Sequence, residues 1–394
     1  MAATPTAARK RLNPLPTAPL VAPPAQARPL AIPVPDVVEL GAPITTLERI
    51  HNTEGGPGAA LRIARTAAAD FRREFSATGT PAHVSTHDLV TLPYPTKFGL
   101  WRAPASPSPF LFITNRLVIV RWTDSDGRRR TLLWEPSDTE LDGNTPYFAA
   151  LAARTPKPLL GTMVHFKATV LERLAEVGID AAEVDYVAFD HLHTQDVRHL
   201  IGTTEPQADI SPDAPVPAWL PKAKLVVQRT ELEAMRDLHP LQRPWYQPET
   251  YVDLDPERIL AIDGDRLLAP GVAIIRTPGH ATGNQTLVLN TDTGVWALSE
   301  NMIATECLTP EHSKIPGVKG WAGTWGQEVI INANVLETTA AQYNSCVVEK
   351  TLVDRSERDS RFMQFFPTSE LTARPVLSPG TSPTFVHGSL RHGA

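Results

Sequence analysis

The chain has 394 residues, of which 42% are hydrophobic and 20% charged, and its formal net charge is −6. That balance builds a globular core and excludes a chain too polar to fold. The acidic surplus gives no electrostatic footprint for nucleic acid, and no apolar run reaches the roughly 20 residues that span a bilayer. Only Cys307 and Cys346 are present. Two cysteines make neither a zinc-finger set nor a disulfide framework, so a reducing, cytoplasmic setting is expected, with export as the alternative.

The first stretch, "MAATPTAARKRLNPLPTAPLVAPPAQARPLAIPVP", is Ala/Pro-rich. Proline removes amide donors and fixes φ, so residues 1–44 are expected to form a disordered tail. "GAALRIARTAAADFRREFSA" sets Leu61, Ile63, Ala67, Ala68 and Phe71 near one face and predicts a helix within an N-terminal extension, residues 45–85. "FLFITNRLVIVRW", the turn "DSDGRRR" and "TLLWEPSD" read as a β-hairpin. "ATVLERLAEVGIDAAEVDYVAFDHLH" reads as a helix, a turn at Gly178 and a buried strand that runs to His191. "AKLVVQRTELEAMRDL" is a strand followed by a helix, and residues 265–301 hold at least three strands. Hairpins mixed with βα units predict α/β layers around a mixed sheet.

Two stretches carry chemistry. His191 and His193 lie two apart in "FDHLHTQDVRHL". If strand geometry persists through them, both imidazoles point to one side at the carboxyl edge of a sheet, where ligand sites gather. The competing reading is a polar strand exit. In "RTPGHATGN", Gly279 and Gly283 let the backbone turn sharply around His280. Imidazoles suit Zn, Fe, Ni or Cu, and three protein ligands leave room for water, the catalytic pattern.

Together, "HLHTQD" after a buried strand, "TPGHATG" about ninety residues on, and the preceding "TLLWEPSD" resemble the metallo-β-lactamase superfamily over about residues 86–375. The resemblance implies an αββα sandwich with a metal site at one edge, and leaves residues 376–394 as a C-terminal tail. It places His191, His193 and His280 in the first metal site. The motif departs from the family at two places. Gln195 stands where an aspartate is usual, and Asp196 where a histidine is. Asp196 is expected either as a rebuilt metal ligand or as an N-cap of the helix beginning "VRHLIG". Glu300 is the candidate for the family's bridging carboxylate and Asn301 its competitor. Ser369 and Glu370 occupy the place of the last histidine.

The implied cofactor is one or two Zn2+ ions, with iron or manganese as alternatives. The implied activity is hydrolysis of an ester, lactone or related bond in a small-molecule substrate by water activated on the metal. Asp196 or Glu300 would move the proton. A mononuclear iron oxidoreductase and a catalytically weakened binding protein are the competing readings. Trp245, Tyr246 and His312 are candidates to touch substrate. Neither nucleic acid nor membrane is an expected partner.

Overall fold

The structure, a computed structural model, describes residues 29–393. Residues 1–28 of the expected tail lie outside the described residues. Two β-sheets make the centre of the molecule. The smaller runs, in spatial order, Ala42–Ile44, Asp265–Ala269, Val272–Arg276, Gln285–Thr291, Gly294–Ser299 and Phe365–Pro367. The larger runs Ile259–Ile262, Lys224–Gln228, Tyr186–Ala188, Arg129–Trp134, Phe110–Thr123, His83–Pro95 and Arg391–Gly393. Tyr186–Ala188 lies parallel to both neighbours, and the Phe110–Thr123 and Arg129–Trp134 hairpin is antiparallel as its turn predicts.

Alternation along each strand explains the layers. Val118 and Val120 point into one apolar cluster together with Val272, Ile274, Leu287, Leu289 and Leu298, which is the core between the two sheets. Their neighbours Leu117, Ile119, Ala273, Ile275 and Val288 point the other way, into a second cluster. That cluster also takes Ala64, Ala67, Ala68, Phe71 and Phe75 from helix Pro57–Ser76, and Val170 and Leu174 from helix Val170–Glu176. Both faces of these strands are buried, so they read as continuous apolar runs rather than as alternation. Helix, sheet, sheet and helix are thus stacked as the resemblance implied.

The boundaries expected from composition need correction. Residues 29–44 are not a tail: Ile32 is 1% exposed, the Leu30 N–H donates to the Arg236 carbonyl, and Ala42–Ile44 pairs with Asp265–Ala269. Pro-rich sequence here lies extended along the protein, a conformation proline tolerates at a sheet edge. Residues 45–85 are no separate extension, because helix Pro57–Ser76 is part of the outer layer and strand His83–Pro95 starts inside that range. The C-terminal residues pack as well, with Arg391–Gly393 completing the edge of the larger sheet. No helix among the described residues is long and apolar enough to cross a membrane.

Candidate metal centre

The strand carrying the first histidine pair stops at Ala188, three residues short of His191. Strand alternation therefore does not aim the pair, which corrects the expectation from spacing. A turn does it instead. Thr194 adopts φ 66, its N–H donates to the Trp245 carbonyl (2.7 Å) and its own carbonyl accepts from Gln247 Nε2 (3.0 Å). His280 arrives from the smaller sheet, on the turn after Val272–Arg276. The Gln285 N–H donates to the Asp190 carbonyl (2.8 Å) and locks the two sheet ends together.

His191, His193 and His280 converge. One ring nitrogen of each lies within 4.8 Å of the others. Ring centroids are 4.5 Å apart for His191–His193 and His191–His280, and 5.1 Å for His193–His280. All three are at most 4% exposed. The outer nitrogen of each ring faces an oxygen. His191 Nδ1 meets the Asp190 carboxylate, His193 Nε2 meets Gln242 Oε1 (2.7 Å), and His280 Nδ1 meets the Asn332 carbonyl (2.6 Å). An acceptor fixes each outer nitrogen as N–H, so the lone pair sits on the other nitrogen. His191 Nε2 is buried and has no partner. An orphaned buried imidazole nitrogen, with two more lone pairs close by, fits a metal ion, and this outer hydrogen bonding is what orients metal-binding histidines. For two of the three rings the protonation chemistry agrees. Burial and the neighbouring rings push His193 well below the ordinary histidine value, and burial with His191 pushes His280 to about 3. Burial also lowers His191, but the Asp190 charge outweighs it and raises that ring.

Glu300 is the carboxylate beside the cluster. It follows strand Gly294–Ser299, half-buried, with an oxygen within 4.8 Å of ligand atoms of both Asp190 and His191. Burial raises its carboxyl to about 7, against the pull of His191 and a hydrogen bond from Ser369. Hydroxyls of the stretch expected to stand in for the last histidine meet these carboxylates. Ser369 reaches Glu300, and Thr368 Oγ1 donates to Asp190 (2.8 Å). Glu370 turns away into a buried ion pair with Arg116. Asn301, the competitor for the bridging role, donates to Glu349 Oε1 (3.0 Å).

Asp196 is not among the clustered ligands. Its carboxylate receives Arg198 through Nε (3.0 and 3.1 Å) and Nη2 (2.7 Å), and Arg198 continues to Asp209 (2.8 Å). A fully buried carboxylate spent on a guanidinium has no charge left for a metal, so its reading as a ligand is corrected. It also accepts from the Arg198 N–H (3.1 Å), at the start of helix Arg198–Ile201, close to the capping reading. Gln195 is buried with its Oε1 unpartnered. His312 packs edge-on to Phe362 and lies outside the cluster. Trp245 and Tyr246 are 4% and 2% exposed. Trp245 stacks on Tyr147 (centroids 4.5 Å), and Tyr246 meets His193 edge-on (4.5 Å).

The Tyr246 hydroxyl reveals a residue that the motifs did not single out. It donates to Glu231 Oε1 (2.6 Å), which also accepts from the Leu192 N–H (3.0 Å), while Oε2 accepts from the Gly283 N–H (2.8 Å). Glu231, fully buried near the start of helix Arg229–Arg236, therefore ties the segment between His191 and His193 to the turn after His280. It explains Gly283 as well, because a Cβ there would overlap the Glu231 backbone. Gly279 has φ 141 and abuts the backbone of Gln342 in helix Thr339–Leu352. Both motif glycines thus mark close approach of a helix to the turn that carries His280.

The fold and this site define the class: a four-layer α/β sandwich with a buried three-histidine centre at one end of its sheets, as the resemblance to the metallo-β-lactamase superfamily implied. No family model matches the chain, and no curated protein matches it significantly. Solved structures similar to it include a quorum-quenching N-acyl homoserine lactone lactonase at 16% identity, TM-score 0.40, covering 63% of this chain and 89% of that one. A dizinc quorum-quenching lactonase with bound product shares 9% identity, TM-score 0.42, over 78% and 97%. A probable metal-dependent hydrolase from Staphylococcus aureus shares 12%, TM-score 0.42, over 59% and 77%. Likeness at this level decides neither chemistry nor substrate, which rest on the geometry above.

Proposed function

We propose that this chain is a metal-dependent hydrolase of small-molecule esters, lactones or related bonds. The observation that carries the reading is the set of three buried imidazoles whose outer nitrogens are all held by oxygen acceptors, with Glu300 beside them. A divalent metal held there by His191, His193 and His280 supplies a Lewis acid that polarises a carbonyl and acidifies water. Glu300, beside His191 and hydrogen-bonded by Ser369, would accept the proton of an attacking water and return it to the leaving oxygen. Asp190 keeps the His191 lone pair directed inward. Trp245, buried and stacked on Tyr147, lies beside His193.

The commitment of Asp196 to Arg198 favours one metal over two. It also supports the second reading, a single-iron oxidoreductase of the same fold. Hydrolysis of aryl esters and lactones by purified protein, after chelation and after reloading with zinc, manganese or iron(II), tests the proposal. Activity that is lost on chelation and restored by zinc or manganese supports the hydrolase. Turnover that needs iron and oxygen supports the oxidoreductase.

A further inference from the structure

His193 presents its inner nitrogen to a further side chain. Its outer Nε2 donates to Gln242 Oε1 (2.7 Å), and Gln242 is held in that orientation because its own Nε2 donates to Glu337 Oε1 (3.3 Å). The lone pair of His193 therefore lies on Nδ1. Facing it, at 3.4 Å, is Nδ2 of the Asn334 carboxamide. The other end of that amide, Oδ1, is buried and has no partner among the described residues. The segment that carries Asn334 is fastened to the rest of the centre. The Asn332 N–H donates to the Asn301 carbonyl (2.8 Å), its Nδ2 donates to the Glu300 carbonyl (3.0 Å), and its carbonyl accepts from His280 Nδ1 (2.6 Å). The Ala333 N–H donates to the Phe98 carbonyl (3.1 Å). Residues 332–334 thus meet His280, the Glu300 backbone and His193 in one short extended stretch.

The spacing sets the chemistry. In a tetrahedral site with bonds of about 2.0–2.1 Å, two ligand atoms of one ion stand about 3.3 Å apart. The Asn334 amide is 3.4 Å from His193 Nδ1, on the side to which that lone pair points. A carboxamide keeps nearly the same shape when it is turned half a revolution about its Cβ–Cγ bond, and the turn exchanges Nδ2 with Oδ1. A lone pair draws the donor end of the amide, and a cation bound to that lone pair draws the oxygen end. The oxygen that would then turn inward is the one that no protein donor engages.

We propose that Asn334 is a fourth protein ligand of the metal centre, through Oδ1, beside His191, His193 and His280. The proposal rests on the three-histidine part of the proposed function and not on the reaction assigned to it. An amide oxygen carries no net charge, so it holds a divalent ion less firmly than a carboxylate does, and water or a substrate carbonyl can take its place. The test is zinc affinity, measured by competition with a chromogenic chelator on wild type, Asn334→Leu and Asn334→Asp, with urea melts of the chelated proteins to show that each folds. Asn334→Leu fills the same space without an oxygen and is expected to weaken zinc binding about tenfold, whereas Asn334→Asp adds an anionic oxygen and is expected to tighten it about tenfold. Asn334→Ala is measured alongside, so that a leucine variant that does not fold leaves a second loss of the oxygen to read, with the same weakening expected. Unchanged affinity on loss of the oxygen would overturn the proposal even if Asn334→Asp bound more tightly, since a new carboxylate can reach an ion that the amide does not. Weakening in both Asn334→Leu and Asn334→Asp would make Asn334 a hydrogen-bond donor at His193 and would equally overturn it. Zinc affinity that is the same in wild type and His191→Ala would instead remove the three-histidine centre, a failure distinct from that of Asn334.

Discussion

Replacing Glu231 by glutamine changes one atom in a fully buried side chain that joins the two histidine-bearing segments. The carboxylate accepts from three donors, the N–H groups of Leu192 and Gly283 and the Tyr246 hydroxyl. Glutamine keeps one oxygen. If that oxygen faces Leu192 and Tyr246, the new NH2 group faces the Gly283 N–H, and a buried donor loses its acceptor. Losing a charge-assisted bond of about 1.5–3 kcal/mol, and weakening two others to neutral ones, costs about 3–5 kcal/mol in all. The opposite orientation strands Leu192 and costs more. The two histidine segments then separate, and metal affinity is expected to fall about 10- to 100-fold. Urea unfolding of the chelated proteins gives the first number, and competition with a chromogenic chelator the second. Glu233→Gln is the control, since that residue of the same helix makes an exposed pair with Arg229 worth less than about 1 kcal/mol. Wild-type stability and wild-type metal affinity in Glu231→Gln would refute the brace.

Further outcomes follow from the same structure. His191→Ala is expected to abolish metal binding, whereas Asp196→Ala retains the metal and loses about 3 kcal/mol of stability because it strips the buried Arg198 of a partner; metal content and urea melts separate the two. Ile32→Ala, in the segment that composition assigned to a tail, is expected to cost about 2–5 kcal/mol in denaturant melts, and a cost near zero would return that segment to the tail. Burial raises Glu349 to about 7 despite hydrogen bonds from Thr286, Ser299 and Asn301, all of which fall on one oxygen. The folded chain then binds the proton more tightly than the unfolded one, so this contribution is full at pH values below about 4.5 and is lost as pH rises to 7. Glu349→Gln mimics the protonated form, and its stability relative to wild type should improve by roughly 3 kcal/mol between pH 4.5 and 8; an unchanged difference would contradict the assignment.

The layers were legible because burial on both faces leaves long runs such as "FLFITNRLVIVRW" that nothing but a central strand accommodates. His191 and His193 were legible from their spacing and His280 from its turn, whose Gly279 and Gly283 are dictated by close backbone approach. Spacing alone misled about the mechanism of convergence, since the strand ends at Ala188 and the histidine pair lies in a turn in which Thr194 is left-handed. Asp196 was ambiguous because its partner Arg198 is two residues away, a contact visible only once the backbone turns. Glu231 and Gln242 lie roughly 40 to 50 positions from the residues they hold, and carry no local pattern. Asp190 could have been found, as a carboxylate directly before the first histidine is a ready acceptor for its outer nitrogen. The N-terminal segment was misjudged because Pro-rich composition does not distinguish a free chain from one laid extended along a sheet edge.

The central claim is that three imidazoles of this chain hold one metal ion. X-ray absorption at the zinc edge of the protein loaded with one equivalent tests it most directly. The account predicts three imidazole ligands, Zn–N distances of about 2.0–2.1 Å, the remainder oxygen, and no sulfur. Loss of one imidazole in His280→Ala is part of the same prediction. A sulfur shell from Cys307 or Cys346, or fewer than three imidazoles in the wild type, would contradict it.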